Sequence, residues 1–274
     1  MPDAAREMLL VKVDRAYKHV LELEIEITRF QRSRGPDEIF HKDNLQTQER
    51  TFYVGALTKI PLDFSALVGD IIQNLRSTLD HLAWHLVQSS PVTPKARSVD
   101  IYFPIFETAS GYRAGKMRKI QGMTDAAIRA IDAIEPYYRP DVLPGIGNGV
   151  ALFWLHELNK LDKHRLLIPI WEDMTTHTMP KSQLLKMEST LRAAFGDNWD
   201  KTHVVANRPL LPLKDGSELC TLPIAEVQDT MAFRFQIAFG EPKWVRGKEI
   251  LSTLVNMHRI VREIIEAFDS KGLL

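Results

Sequence analysis

The run from Phe64 to Gln88, FSALVGDIIQNLRSTLDHLAWHLVQ, sets the architecture expected of the chain. It contains no proline, and Val68, Ile71, Ile72, Leu75, Leu79, Leu82 and Leu86 recur at three- and four-residue spacing, so an α-helix collects them on one apolar face. Such a face must be covered by other elements. Three further segments carry the same period. One is about 4–32, with Leu9, Val13, Val20 and Ile27. The second, 124–165, opens on Thr124 as the cap of a short helix stopped by Pro136 and continues from Asn148 as the cap of another. The last is 245–268, with Ile250, Leu254, Ile260 and Phe268.

Between these helices the β-branched and aromatic pieces Glu38–His41 and Arg50–Ile60 predict two short strands. IYFPIF (101–106) predicts a sheet edge, GYRAGKMRKI (111–120) a surface helix or a flap, and LLIPIW (166–171) a buried strand. From Met187 to Phe239 the runs KMES, HVVA, ELCTLPI and MAFRFQIAF, with the Asp-Gly turn of LKDGSE, predict a small antiparallel sheet. The expected fold is α+β and mostly helical. It is a helical bundle with a small antiparallel β-sheet, the β-rich insertion falling at about 166–240, in a single domain over 1–274.

Composition limits function. Lys plus Arg and Asp plus Glu are 35 each, so no global field draws the chain to nucleic acid or an anionic membrane, and any such site is a local patch. Cys220 is the only cysteine, which excludes a disulfide framework and a Cys-rich zinc module. No apolar run reaches the ~18 residues of a membrane span, and the charged N-terminal stretch is unlike a signal peptide. A cytoplasmic protein is expected. GIGNGV (145–150) lacks the preceding strand and the lysine of a phosphate loop, so it reads as a loop and helix cap, and no cofactor is expected.

Polar residues on the helices are the candidates for chemistry. At ~100° per residue Asp70, Asn74, Ser77, His81 and His85 form one stripe of the second helix, and Arg76 and Asp80 stand one turn apart on the adjacent face. In LNKLDKHR, Asn159, Asp162 and Lys163 share a helical side, while His164 and Arg165 close the helix, where cations also suit the helix dipole. If the two helices face one another, these residues meet in one polar pocket that takes a small anion. His81 and His85, four residues apart, offer an alternative metal pair whose third ligand would be Asp162, His164 or His156.

NLRSTLDHLAWHL together with LNKLDKHR resembles a group of bacterial proteins with NLRSxLDHLxW and LNxxDKHR motifs, a resemblance that implies no particular activity. Arg76-Ser77-Thr78-Leu79-Asp80-His81 is also distantly similar to the R-x4-6-H motif of HEPN-type domains, although a serine follows the arginine where a larger polar residue is common. That similarity implies a metal-independent ribonuclease of stress or phage defence, dimerising around its site. His81 would act as general acid/base and Arg76 would stabilise the phosphorane, with RNA as the partner. Arg34 to His41 has the same motif spacing but crosses a Gly-Pro loop. The non-enzymatic alternative is a ligand-binding or oligomerising protein whose polar seam, Asp70, Asn74, Ser77 and His81 against Asn159, Asp162 and Lys163, fixes helix register.

Overall fold

The computed structural model describes residues 2–33, 39–91, 100–139, 148–164, 167–177, 213–227 and 233–274. Four long helices build the main core. They are α1 (Pro2–Arg32), α2 (Leu62–Gln88), α5 (Asn148–His164) and α6 (Ile250–Asp269), with the shorter α3 (Ala109–Lys119) and α4 (Asp125–Asp132) packed beside them. The period read from Phe64 to Gln88 is the reason α2 is central: Val68, Ile71, Ile72, Leu75, Leu79 and Leu82 are all fully buried. Each contributes roughly 1.5–3 kcal/mol by leaving water, and truncating one to alanine costs about 2–5 kcal/mol.

α1 runs antiparallel to both α2 and α6. Phe30 meets Phe64 edge-on at 5.8 Å, and Lys12 reaches Ser77 near the other end of the contact. On the α6 side Arg6 pairs with Asp269 and Asp14 with Arg262. α2 also packs on α5, as expected from sequence. A Cβ on Gly69 would stand 2.5 Å from Asp162 Oδ1, so the missing side chain leaves room for that carboxylate against α2. The predicted Thr124 cap is present, its Oγ1 accepting the Ala127 N–H, and α6 has a cap not read from the sequence, both Glu249 carboxylate oxygens accepting N–H groups of its first turn.

The strands depart from expectation in pairing rather than in kind. β1 (Ile39–Asn44) and β2 (Glu49–Val54) form a hairpin in which Asn44 Oδ1 accepts the N–H groups of Gln46 and Thr47. β4 (Glu218–Pro223) adds to β2, giving the order β1-β2-β4, while β3 (Ile170–His177) pairs with β5 (Phe233–Phe239) in a second sheet. Thus ELCTLPI and MAFRFQIAF do not form one local sheet. The Asp215-Gly216 turn hands β4 to Val54, whose N–H and carbonyl bond Ser217 and Gly216. Phe52, Val54, Leu219 and Leu222 bury the inner face of that sheet in a small separate core. KMES and HVVA lie outside the described residues. β2 stops at Val54 rather than Ile60, and α6 starts at Ile250 because turns occupy 243–247.

IYFPIF is not a strand. At its centre α2 side chains take the place of a ladder: the Phe103 N–H donates to Asp80 Oδ1 and its carbonyl accepts from Arg76 Nη2, while the Tyr102 and Phe106 N–H groups donate to the Lys119 and Pro136 carbonyls. Only Phe106 makes a bridge, with Tyr137. GYRAGKMRKI falls within and just beyond α3, anchored by the buried Tyr112.

Candidate functional site

The seam between α2 and α5 collects part of the predicted set and turns the rest away. Arg76 is 4% exposed, flanked on the helix by Ile72, Leu79 and Ala83, all fully buried. Its Nη1 donates to Asp80 Oδ1 at 2.5 Å and its Nη2 to the Phe103 carbonyl at 3.1 Å. Burial alone would push the guanidinium down, and Asp80 counters it. Asp80 therefore serves two donors at once, holding Arg76 and the 101–105 segment against α2.

His156, on α5, sits near this cluster. Burial first, then Arg76, Lys119, Lys160 and Lys163, push its imidazole down to about 3, so it is neutral at physiological pH. Its Nδ1 is buried without a partner, as is Oδ1 of Asn159, a residue 4% exposed and one turn further along. Lys119 closes the group from α3. Its ammonium lies 4.6 Å above the Phe106 ring, and burial, then Arg76, lower its pKa against the opposing effect of Asp80. This end of the seam is cationic.

The other end is acidic. Asp162 is held above the usual carboxylate range by burial and then by Asp70, with Lys163 acting against both. Lys163 and His164 are exposed, and Arg165 lies outside the described residues.

The predicted stripe faces elsewhere. Asn74 Nδ2 donates to the Asp70 carbonyl, Ser77 Oγ donates back to the Asn74 carbonyl and accepts from Lys12 of α1. His81 is exposed, and His85 exchanges a hydrogen bond with Ser89. The single pocket expected from sequence is thus divided. Arg76 and Asp80 engage the 101–105 segment, whereas Asn74, Ser77 and His81 border α1 and solvent, and exposed Asp70 lies near enough to Asp162 of α5 to raise its pKa. His81 and His85 find no third metal ligand among the described residues. Arg34 of the second motif match lies outside the described residues, and His41 is on β1.

Two features were not foreseen. An open cleft of about 540 Å³ separates the start of α3 (Glu107–Ala109) from Glu135 and Tyr137–Arg139. Its polar groups serve one another: Tyr137 OH and Arg139 both donate to the carboxylate of Glu135, whose backbone is left-handed at φ 50°. The cations around His156 are the second, and the sequence signal for them was weak, since Lys119 and His156 belong to separate helices. Cys220 is half-buried, with burial and then Glu218 pushing its thiol up to about 11, which suits an inert group.

Comparison with protein-family models, curated proteins and solved structures finds no match to the chain.

Proposed function

We propose that this protein acts by binding an anionic ligand rather than by turnover, with the α2–α5 seam as its scaffold. The observation that carries the reading is the engagement of Arg76, whose two terminal nitrogens are both committed beneath the 101–105 segment. A ribonuclease built on the Arg76/His81 pair needs both groups at one phosphate. Five residues of α-helix separate them by about 140°, with Arg76 inside and His81 in solvent. Lys119 and Lys163 near His156 favour an anion over a cation as the ligand, Lys160 being paired with Glu157.

The deciding experiment incubates wild type and His81→Ala with single-stranded RNA in EDTA and follows cleavage, with melting temperatures measured in parallel. The expected result is intact RNA with both proteins. Cleavage by wild type that survives EDTA and disappears in a His81→Ala variant of unchanged melting temperature would replace binding by catalysis.

A further inference from the structure

The loop joining β5 to α6 carries three cations in six residues, Lys243, Arg246 and Lys248, and each lies over an indole. Lys243 Nζ is 4.4 Å from the Trp244 ring centroid, the Arg246 guanidinium 4.9 Å from that of Trp171, and Lys248 Nζ 5.9 Å from that of Trp154. None of the three makes an ion pair among the described residues. Of the two carboxylates that flank them in sequence, Glu249 is committed to capping α6, and Glu241 stands at the opposite end of the loop.

The loop is built to hold this arrangement. Gly247 N–H donates to the Phe239 carbonyl and Phe239 N–H to the Lys248 carbonyl, while Val245 and Arg246 both donate to Pro242. Val245 is fully buried, and Trp244 packs against Tyr138 and Phe153 at 5.1 and 5.2 Å. Gly247, at φ 75°, supplies the left-handed turn that lets the chain return to β5. The indole N–H groups of Trp154 and Trp171 are buried with no acceptor, and Trp154 is 4% exposed. Three cations with no carboxylate partner among the described residues have one complement in common: an anion rich in oxygen acceptors.

We infer that the Lys243–Lys248 loop binds the phosphate backbone of a single-stranded nucleic acid. The inference rests on the binding reading above and names its ligand class. A row of cations on an open loop suits a repeating string of phosphates, whereas a single small anion needs walls that exclude water. Half-exposed Tyr138 beside these cations keeps part of its ring open for a base to stack on. A lipid surface fits less well, because Trp244 is turned into the aromatic cluster with Tyr138 and Phe153 instead of projecting for insertion.

The test measures binding of a labelled single-stranded RNA oligonucleotide in EDTA over a series of salt concentrations. Wild type is compared with the combined Lys243→Gln, Arg246→Gln, Lys248→Gln variant. Melting temperatures establish that the variant folds. The triple variant is expected to bind at least ~10-fold more weakly at low salt, and its slope of log affinity on log salt should flatten by about 2, at ~0.7 per lost phosphate contact. A folded triple variant with wild-type affinity and slope would overturn the inference while leaving the binding reading standing. So would capture of wild type by anionic vesicles with no RNA binding, which assigns the loop to lipid headgroups. RNA cleavage in EDTA would instead remove the binding reading, and the salt slope would still report whether the loop contacts phosphate.

Discussion

Arg76 and the Lys243–Lys248 loop are two ways of placing positive charge in one protein. Arg76 lies in the densest part of the core with a carboxylate on one nitrogen and a carbonyl on another. The loop cations lie on indole faces and make no ion pair among the described residues. A charge taken out of water must be matched inside the fold, so a buried cation is already answered by its surroundings. One kept at the surface over an aromatic ring is positioned but unmatched. The motif that stands out in sequence sits at the answered charge, and the unmatched ones carry no motif.

Breaking the buried side of this contrast should have the largest effect. Arg76→Ala leaves Asp80 without its partner and the Phe103 carbonyl without its donor, and a loss of about 3–5 kcal/mol in urea unfolding is expected. Asp80→Ala should cost a comparable amount. The double variant should cost clearly less than the sum, since the two residues share one network. Strict additivity would mean that the pair is not coupled.

The next effect is in pH. His156 titrates in the unfolded chain near ~6.5 but in the fold only near about 3, pushed down by burial and then by Arg76 and the lysines around it. The unfolded state therefore takes up the proton first. Stability should fall as pH drops from ~6.5 toward the folded value, by up to about 1.4 kcal/mol per pH unit. Unfolding curves at neutral pH and at about pH 5 should show the loss in wild type and not in His156→Gln. Asp162 has the opposite sign: its raised folded pKa means that the ionised form destabilises the fold at neutral pH, and that penalty is relieved as pH falls through the folded pKa. Asp162→Asn should therefore raise the melting temperature at neutral pH.

At the surface the effects on stability shrink. Lys243→Gln, Arg246→Gln and Lys248→Gln should each cost no more than about 0.5–1 kcal/mol, the range of an exposed cation–π contact. His81→Ala should stay within about 0.5 kcal/mol of wild type. A large destabilisation by any of these four would erase the distinction between answered and unmatched charge.

The helices were legible because their information is local: the period of α2, the Thr124 cap and the α5 start at Asn148 each lie within a few residues of what they determine. The depth of Arg76 was legible too, had its neighbours Ile72, Leu79 and Ala83 been weighed before its motif. Strand pairing was not, because β4 and β2 meet across 170 residues at the Thr51–Thr221 hydrogen bond, and nothing near either strand names the other. IYFPIF read as a strand because its residues suit one, but the side chains that bind its backbone are on α2. The site followed the same rule. Asp70 and Asp162 share a local field across two helices, where Gly69 leaves room for the Asp162 carboxylate, and the cations around His156 converge from three helices.

The pairing of α1 with α6 has a consequence for how the chain is made. The Asp14–Arg262 contact spans 248 residues, so α1 waits for synthesis to reach α6 before one flank of its packing is complete. α2 follows within a few dozen residues and can shelter part of α1, but the surface that receives α6 stays open until synthesis reaches Phe268. Until α6 has emerged, chaperones have an apolar groove to recognise.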